Sequence, residues 1–371
     1  MRKSSVELLK VIAIVLIVIN HVTMTLEALG VDKFISAYDN GSLEYAATSP
    51  QVFMLMVFRT FGAWGNALFF CCSAYYFFRN KNCFNITKEL RLLAESWTIS
   101  IICLISYMVL INRHIGLSFI IKSLLPNFFC NNWYITCYLL FYPIHPLLNR
   151  LIDNLTRKEH LSVALFGFIL YYCLGYLKED SFFASRLVQW VVLYIILAYP
   201  WKYMPNTCKD RTINMWLLFT SSLSSGAVLL AYNALSLRFA MLDGHVSHWF
   251  TNANPFIVVG AFASMNLCVT GLMKSNFINR ISRHSLYVYL LHENLLFRVV
   301  PRRMFVMSIS ALFGISSPVV LVLLCTFFLL CICCVCSRLV MLLTDSPIEG
   351  VSKRLASMIE ERVNRMYVLL E

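Results

Sequence analysis

The chain has 371 residues, 59% of them hydrophobic and 13% charged, with 31 Lys and Arg against 19 Asp and Glu for a formal net charge of +12. A mean hydropathy of +0.69 excludes an ordinary water-soluble domain and points to a helical protein that crosses a membrane many times. The basic residues sit in short clusters between apolar runs, so membrane orientation accounts for the charge and no nucleic-acid partner is implied.

Apolar stretches long enough to cross a bilayer fall at about 6–28, 52–78, 92–112, 132–150, 161–177, 183–200, 212–235, 254–273, 284–304 and 315–343. This predicts an all-α polytopic membrane protein with about ten transmembrane helices. The signals near 161 and 183 are the weakest, and Leu117 to Phe129 reads as an interfacial or re-entrant piece. The Met-Arg-Lys-Ser-Ser start is basic like the head of a signal peptide, yet the apolar run contains Lys10 and His21 and lacks a small-x-small cleavage site. It reads as a retained first helix. With the N-terminus inside, the cytoplasmic segments collect Arg2, Lys3, Lys10, Arg79, Lys81, Lys88, Arg91, Arg150, Arg157, Lys158, Lys202, Lys209, Arg211, Lys274, Arg280, Arg283 and a basic tail. The opposite loops hold Lys33, Arg113, Lys122, Lys178, Arg186, Arg238, Arg298, Arg302 and Arg303. That imbalance predicts N-in and C-in. The chain divides into a transmembrane domain, 1–343, and a basic tail, 344–371. Past Pro347 the tail places Val351, Leu355, Met358, Ile359, Val363, Met366 and Leu370 on one stripe, as an amphipathic helix on an anionic membrane surface would, with a solvated tail as the alternative.

Chemistry-bearing residues appear first in the opening helix. Eleven residues separate Lys10 from His21, about 1,100° of rotation, so the two fall within about 20° on one face and about 16 Å apart. An ionisable group inside a spanning helix is costly and marks a functional site, whereas one at a helix end could sit among headgroups. Arg59, in the second span, has to face the bundle interior or an aqueous cavity for the same reason. Beyond that span Arg79, Lys81, Lys88 and Arg91 form a basic cluster that suits a phosphorylated ligand or serves only to orient the chain. Late in the chain, Ser285, Tyr289 and His292 are spaced four and three apart and share a helical face. His145, His245 and His248 read as structural or exposed. The fourteen cysteines lack the spacing of a zinc or disulfide module and read as packed thiols, with no metal site; the sequon Asn85-Ile86-Thr87 falls on the cytoplasmic side.

Taken together these residues resemble the acyltransferase-3 family, the multispanning O-acyltransferases that modify bacterial surface polysaccharides such as O-antigen and exopolysaccharide. The resemblance covers about residues 4 to 340. Glu7, Lys10 and His21 match the acidic, basic and histidine pattern of the family's first helix. Phe69-Phe70-Cys71-Cys72-Ser73-Ala74-Tyr75 resembles the F-F-x-x-S-G-Y turn ending its second span, and Lys88-Glu89-Leu90-Arg91 its cytoplasmic R-x-x-R. Trp133 to Tyr138 with Pro146 to Asn149, and Asn279 to Ser282 with Ser285 to His292, resemble its later signatures. Lys10 and Lys88 stand where the family has arginine, and Ala74 where it has glycine.

The resemblance implies an enzyme of a bacterial cell membrane that uses acyl-CoA, specifically acetyl-CoA, as co-substrate, with a polysaccharide or lipid-linked glycan as acceptor. Lys10, Lys88 and Arg91 would hold the nucleotide phosphates. His21 would be the general base, Glu7 would orient Lys10, and Arg59, Ser73 or Tyr75 would stabilise the oxyanion; Trp133, Tyr289 and His292 are further site candidates. A flippase or small-molecule transporter is the other reading, and would show internal repeats or helices broken by Gly or Pro. Neither is evident in the sequence.

Overall fold

A computed structural model describes residues 3–29, 50–79, 84–111, 115–177, 186–236, 239, 249–315 and 317–370. Lys33, Lys81, Arg113, Lys178, Arg238, His245 and His248 lie outside these. The described residues are helical throughout, without a strand.

In chain order the helices are α1 (Ser4–Leu29), α2 (Pro50–Arg79), α3 (Ile86–Ile111), α4 (Leu117–Leu124), α5 (Trp133–Asn154), α6 (Arg157–Gly167), α7 (Gly175–Leu177), α8 (Arg186–Tyr203), α9 (Pro205–Lys209), α10 (Arg211–Ser236), α11 (Pro255–Thr270), α12 (Asn276–Ser282), α13 (Ser285–His292), α14 (Leu295–Val299), α15 (Pro301–Phe313) and α16 (Pro318–Leu370). A π-helical stretch, Phe168–Leu174, joins α6 to α7 without a break. Among the described residues, six helices are long and apolar enough to cross a membrane: α1, α2, α3, the run Arg157–Leu177, α10 and α16. The chain is therefore a multi-pass membrane protein. The other four predicted spans correspond to α5, to the 18-residue α8, to the 16-residue α11 and to the broken run α13 to α15.

The bundle is organised on α1, whose apolar side chains Val6, Ala13, Val18 and Val22 are fully buried. Its most extensive neighbour is α2. Helices in lipid gain little from hydrophobic burial and associate through close van der Waals contact, which favours small residues where backbones approach. Gly65 is such a place: a Cβ there would stand 2.5 Å from Ile17 Cγ1 and 2.6 Å from the Ala13 carbonyl oxygen. Gly62 leaves room in the same way for the Asn20 side chain.

Two expectations change. The Phe69 to Tyr75 stretch is not a turn but continuous helix within α2, where Ala74 is fully buried, so no glycine backbone is required. The stretch 284–304 is not one helix: α13 ends at Glu293, Asn294 caps α14 by accepting from the Leu296 backbone N–H, and Pro301 opens α15. Pro347 does not stop α16, whose 53 residues extend about 80 Å, far beyond the hydrocarbon thickness. Of its apolar tail stripe, Val351, Leu355, Met358 and Ile359 are exposed, while Ile348, Ser352 and Ala356 are buried.

α4 leads into a turn against α3, where Ser100 Oγ donates to the Ser123 carbonyl over 2.7 Å and Trp97 Nε1 donates to that of Leu124. His145 is structural. Pro146 has no N–H for the Tyr142 carbonyl four residues back, and the His145 ring takes that carbonyl while stacking on Phe77 at 4.6 Å.

Candidate active site

His21 sits two thirds of the way along α1, one helical turn beyond Ile17, with its side chain 16% exposed. Its Nδ1 stands 2.9 Å from Glu293 Oε2 and 3.0 Å from His292 Nε2. Both partners come from the end of α13, where the helix stops after His292. The stop gives Glu293 a position from which its carboxylate turns back toward α1. It also leaves the His292 carbonyl to accept from Arg302 Nη1 at 3.4 Å.

The hydrogen-bond partners fix the proton. His292 Nδ1 lies 2.7 Å from the Val288 carbonyl, which only accepts, so that nitrogen carries the hydrogen and Nε2 of the neutral ring is an acceptor. The Glu293 carboxylate is an acceptor as well. His21 Nδ1, facing two acceptors, is therefore the protonated nitrogen, and Nε2 is left with its lone pair. Two guanidinium groups compensate the carboxylate: Arg298 Nη1 lies 3.0 Å from Oε1, and Arg302 Nη1, on a residue only 6% exposed, lies 3.3 Å from Oε2. His21, His292 and Glu293 also form a three-donor group of the kind that holds metals. The charge of the carboxylate is already matched by two guanidiniums, which would repel a divalent cation at the same place.

Two cavities lie near this group, and His21 and Glu293 line the second of them. The first, about 490 Å³, is lined by Lys10, Ser73, Lys88, Arg91, Ser285 and Tyr289, with Ile17 and Tyr134. The three basic residues of the predicted phosphate site thus share one cavity. Their availability differs. Lys10 pairs with Glu7 at 3.1 Å and lies 5.8 Å from the Tyr76 ring centre, and Glu7 in turn accepts from Ser282 Oγ, so Glu7 does orient Lys10. Arg91 is held by Glu95 at 2.8 Å, Asp345 at 3.2 Å and Glu349 at 3.8 Å. Lys88 is exposed, with no carboxylate partner among the described residues. In the same cavity the buried hydroxyl of Tyr134 has no hydrogen-bond partner among the described residues, and that of Tyr289 lies beside the Tyr134 backbone.

The second cavity, about 470 Å³, is lined by His21, Asn20, Arg59, Asn66, Trp133 and Glu293, with Arg186, Gln189, Asn252 and Arg298. Arg59 faces it as its place in a span requires, donating from Nη1 to Asn20 Oδ1 at 3.2 Å. Trp133 carries the Arg186 guanidinium 4.2 Å above its ring. Tyr75 lines neither cavity; it packs edge-on against Tyr76 and Trp201.

Sequence reasoning missed Glu293, Arg186, Arg298 and Arg302 as site residues. The last three were assigned to external loops, whereas Arg298 and Arg302 neutralise Glu293 and Arg186 faces a cavity. A signal was present: an acid directly after a histidine in an apolar stretch calls for a cationic partner, and arginines five and nine residues on are the nearest in sequence.

Fold and site define a multi-pass helical membrane protein with an oriented imidazole in the wall of a polar cavity and a second, cationic cavity reaching Ile17 one helical turn away, an arrangement suited to moving a proton. The sequence model of acyltransferase family 3, described as an acyltransferase domain, matches residues 3–338. The chain belongs to that family and is a membrane enzyme that transfers acyl groups. No curated protein and no solved structure matches it.

Proposed function

We propose that this protein is an O-acyltransferase of a bacterial cell membrane, moving an acetyl group from acetyl-CoA at the cytoplasmic side to a hydroxyl of a surface carbohydrate or its lipid-linked precursor. The observation that carries the reading is the contact of His21 Nδ1 with Glu293 and His292, which would leave Nε2 as the base in the polar cavity, one helical turn beyond Ile17 in the wall of the cationic one. The CoA phosphates would enter the first cavity, meeting Lys88 first and then Lys10 and Arg91. The pantetheine arm would run past Ser73, Tyr134 and Tyr289 toward His21. His21 Nε2 takes the proton of the sugar hydroxyl as its oxygen attacks the thioester carbonyl; collapse of the tetrahedral adduct expels the CoA thiolate, which leaves with the proton. The hydroxyls of Tyr134, Tyr289 and Ser73, which line the first cavity, would donate to the oxyanion.

Ten crossings with both termini inside suit this scheme. The start of α1 meets the end of α11, through Lys3 Nζ to the Val269 carbonyl at 2.7 Å, and the start of α3 meets residues 345 and 349 of α16. Alternating helix directions bring those ends together around the donor cavity. Reporter fusions after Asn82 and near Asn40, both outside the described residues, should read cytoplasmic and external respectively; the same side for both would remove the second crossing.

The donor assignment has its own test. Replacing Lys88 and Arg91 together by Gln should raise KM for acetyl-CoA by about tenfold or more with the protein still folded in the membrane, because charge-assisted bonds to phosphate contribute about 1.5–3 kcal/mol each. Lys88→Gln alone should account for most of that rise, since Arg91 already has three carboxylate partners. An unchanged KM in the double variant would reduce the cluster to an orientation signal. The broader test is mass spectrometry of surface glycan from cells with and without the gene, where loss of an acetyl increment supports transfer and a changed glycan amount with unchanged acetylation supports transport.

A further inference from the structure

The acceptor reading leaves open what kind of carbohydrate enters the second cavity, and the side chains around that cavity answer more than its size does. Glu293 is already matched by Arg298 and Arg302. Arg186, at the start of α8, is not matched in this way: it has no carboxylate partner among the described residues and is exposed, yet its guanidinium carbon stands 4.2 Å from the centre of the Trp133 ring and it lines the cavity. A cation–π contact with an indole face takes up none of the guanidinium's N–H groups, so the fork that grips a carboxylate or phosphate stays open. The contact also restrains its position before a ligand arrives.

The remaining wall is built for hydroxyl groups. Asn66 Nδ2 donates to Asn252 Oδ1 over 3.0 Å, and Asn20 and Gln189 add two further amides. Amides donate and accept at once, as sugar hydroxyls require. A neutral sugar would use these amides but leave the Arg186 fork facing only water.

We propose that the acceptor is an anionic carbohydrate, carrying a carboxylate or phosphate that Arg186 binds while a neighbouring hydroxyl is presented to His21. This rests on the acyltransferase reading and adds the charge of the acceptor. Trp133 is then a positioning residue, holding the guanidinium in place.

The test uses membranes containing the full protein, acetyl-CoA, and surface glycan isolated from cells lacking the gene, in three forms: untreated, with carboxyl groups reduced to alcohols, and with phosphates removed by hydrogen fluoride. Acetyl transfer to the untreated glycan should fall about tenfold or more after one of the two treatments, and which one identifies the anion. Arg186→Gln should raise KM for the untreated glycan to a similar extent, with Arg186→Lys recovering part of the loss. Equal transfer to all three glycan forms, or an unchanged glycan KM in Arg186→Gln, would overturn the anionic acceptor while leaving the transferase intact. No transfer to untreated glycan would overturn the acyltransferase reading itself, and the acceptor site with it.

Discussion

His21→Gln should abolish acetyl transfer, lowering turnover by about 10²–10⁴-fold, with the protein still recovered from the membrane at near wild-type amount. The imidazole is partly exposed toward a polar cavity rather than packed in the core, so the loss in packing is small. A glutamine amide can satisfy Glu293 by donating to it, but the nitrogen or oxygen it then presents to the substrate cannot accept a proton usefully near neutral pH. His21→Ala should be equally inactive. Measured as labelled acetyl incorporated into glycan per mole of folded protein, near wild-type incorporation by the Gln variant would make His21 a hydrogen-bonding residue and end the proposed mechanism.

Glu293→Gln should cost about 10²-fold or more by a different route. The carboxylate can only accept, and that is what holds the proton on His21 Nδ1. A glutamine at 293 can turn its amide N–H toward His21, favouring the tautomer in which Nε2 carries the hydrogen and no base faces the substrate. The substitution also strips a charge from between Arg298 and Arg302. Leaving the buried Arg302 without its carboxylate costs about 3–5 kcal/mol, so the variant should denature at lower temperature in detergent. Glu293→Asp keeps the charge and separates the effects: it should recover stability more fully than rate, because the shorter side chain neutralises Arg302 yet draws back from His21. If Glu293→Gln transfers acetyl at the wild-type rate while folded, the carboxylate serves stability alone.

The break in the helices at Glu293 bears on the competing transport reading, since interrupted helices near polar groups are what many transporters use. Here the carbonyl freed by the break accepts from Arg302 and the carboxylate beside it is spent on His21, Arg298 and Arg302. The polar groups at the interruption are engaged with His21, Arg298 and Arg302 rather than left as an open ion site.

Helical, membrane-crossing character was legible because it depends on quantities that add along the chain: apolar run length, scarcity of charge, and the roughly 100° step that puts Lys10 and His21 on one face. The same local logic placed Arg59 against a cavity and put Ser285, Tyr289 and His292 on one face of α13. It failed at 284–304, where a hydropathy window averages over a polar break, and at Phe69 to Tyr75, where a motif read as a turn is ordinary helix.

By itself, then, the sequence determined the class of fold, the family, and the residues that are anomalous for a membrane interior: Lys10, His21, Arg59 and His292. The tertiary structure alone decided which of them act together. It set His21 against Glu293 across 271 residues of intervening chain, drew Arg298 and Arg302 out of an assumed loop onto that carboxylate, and tied Arg91 to Asp345 and Glu349 while leaving Lys88 exposed. The physical reason is that a cost of burial belongs to a single residue and its place in a helix, whereas the partner that offsets it is fixed only when the helices pack.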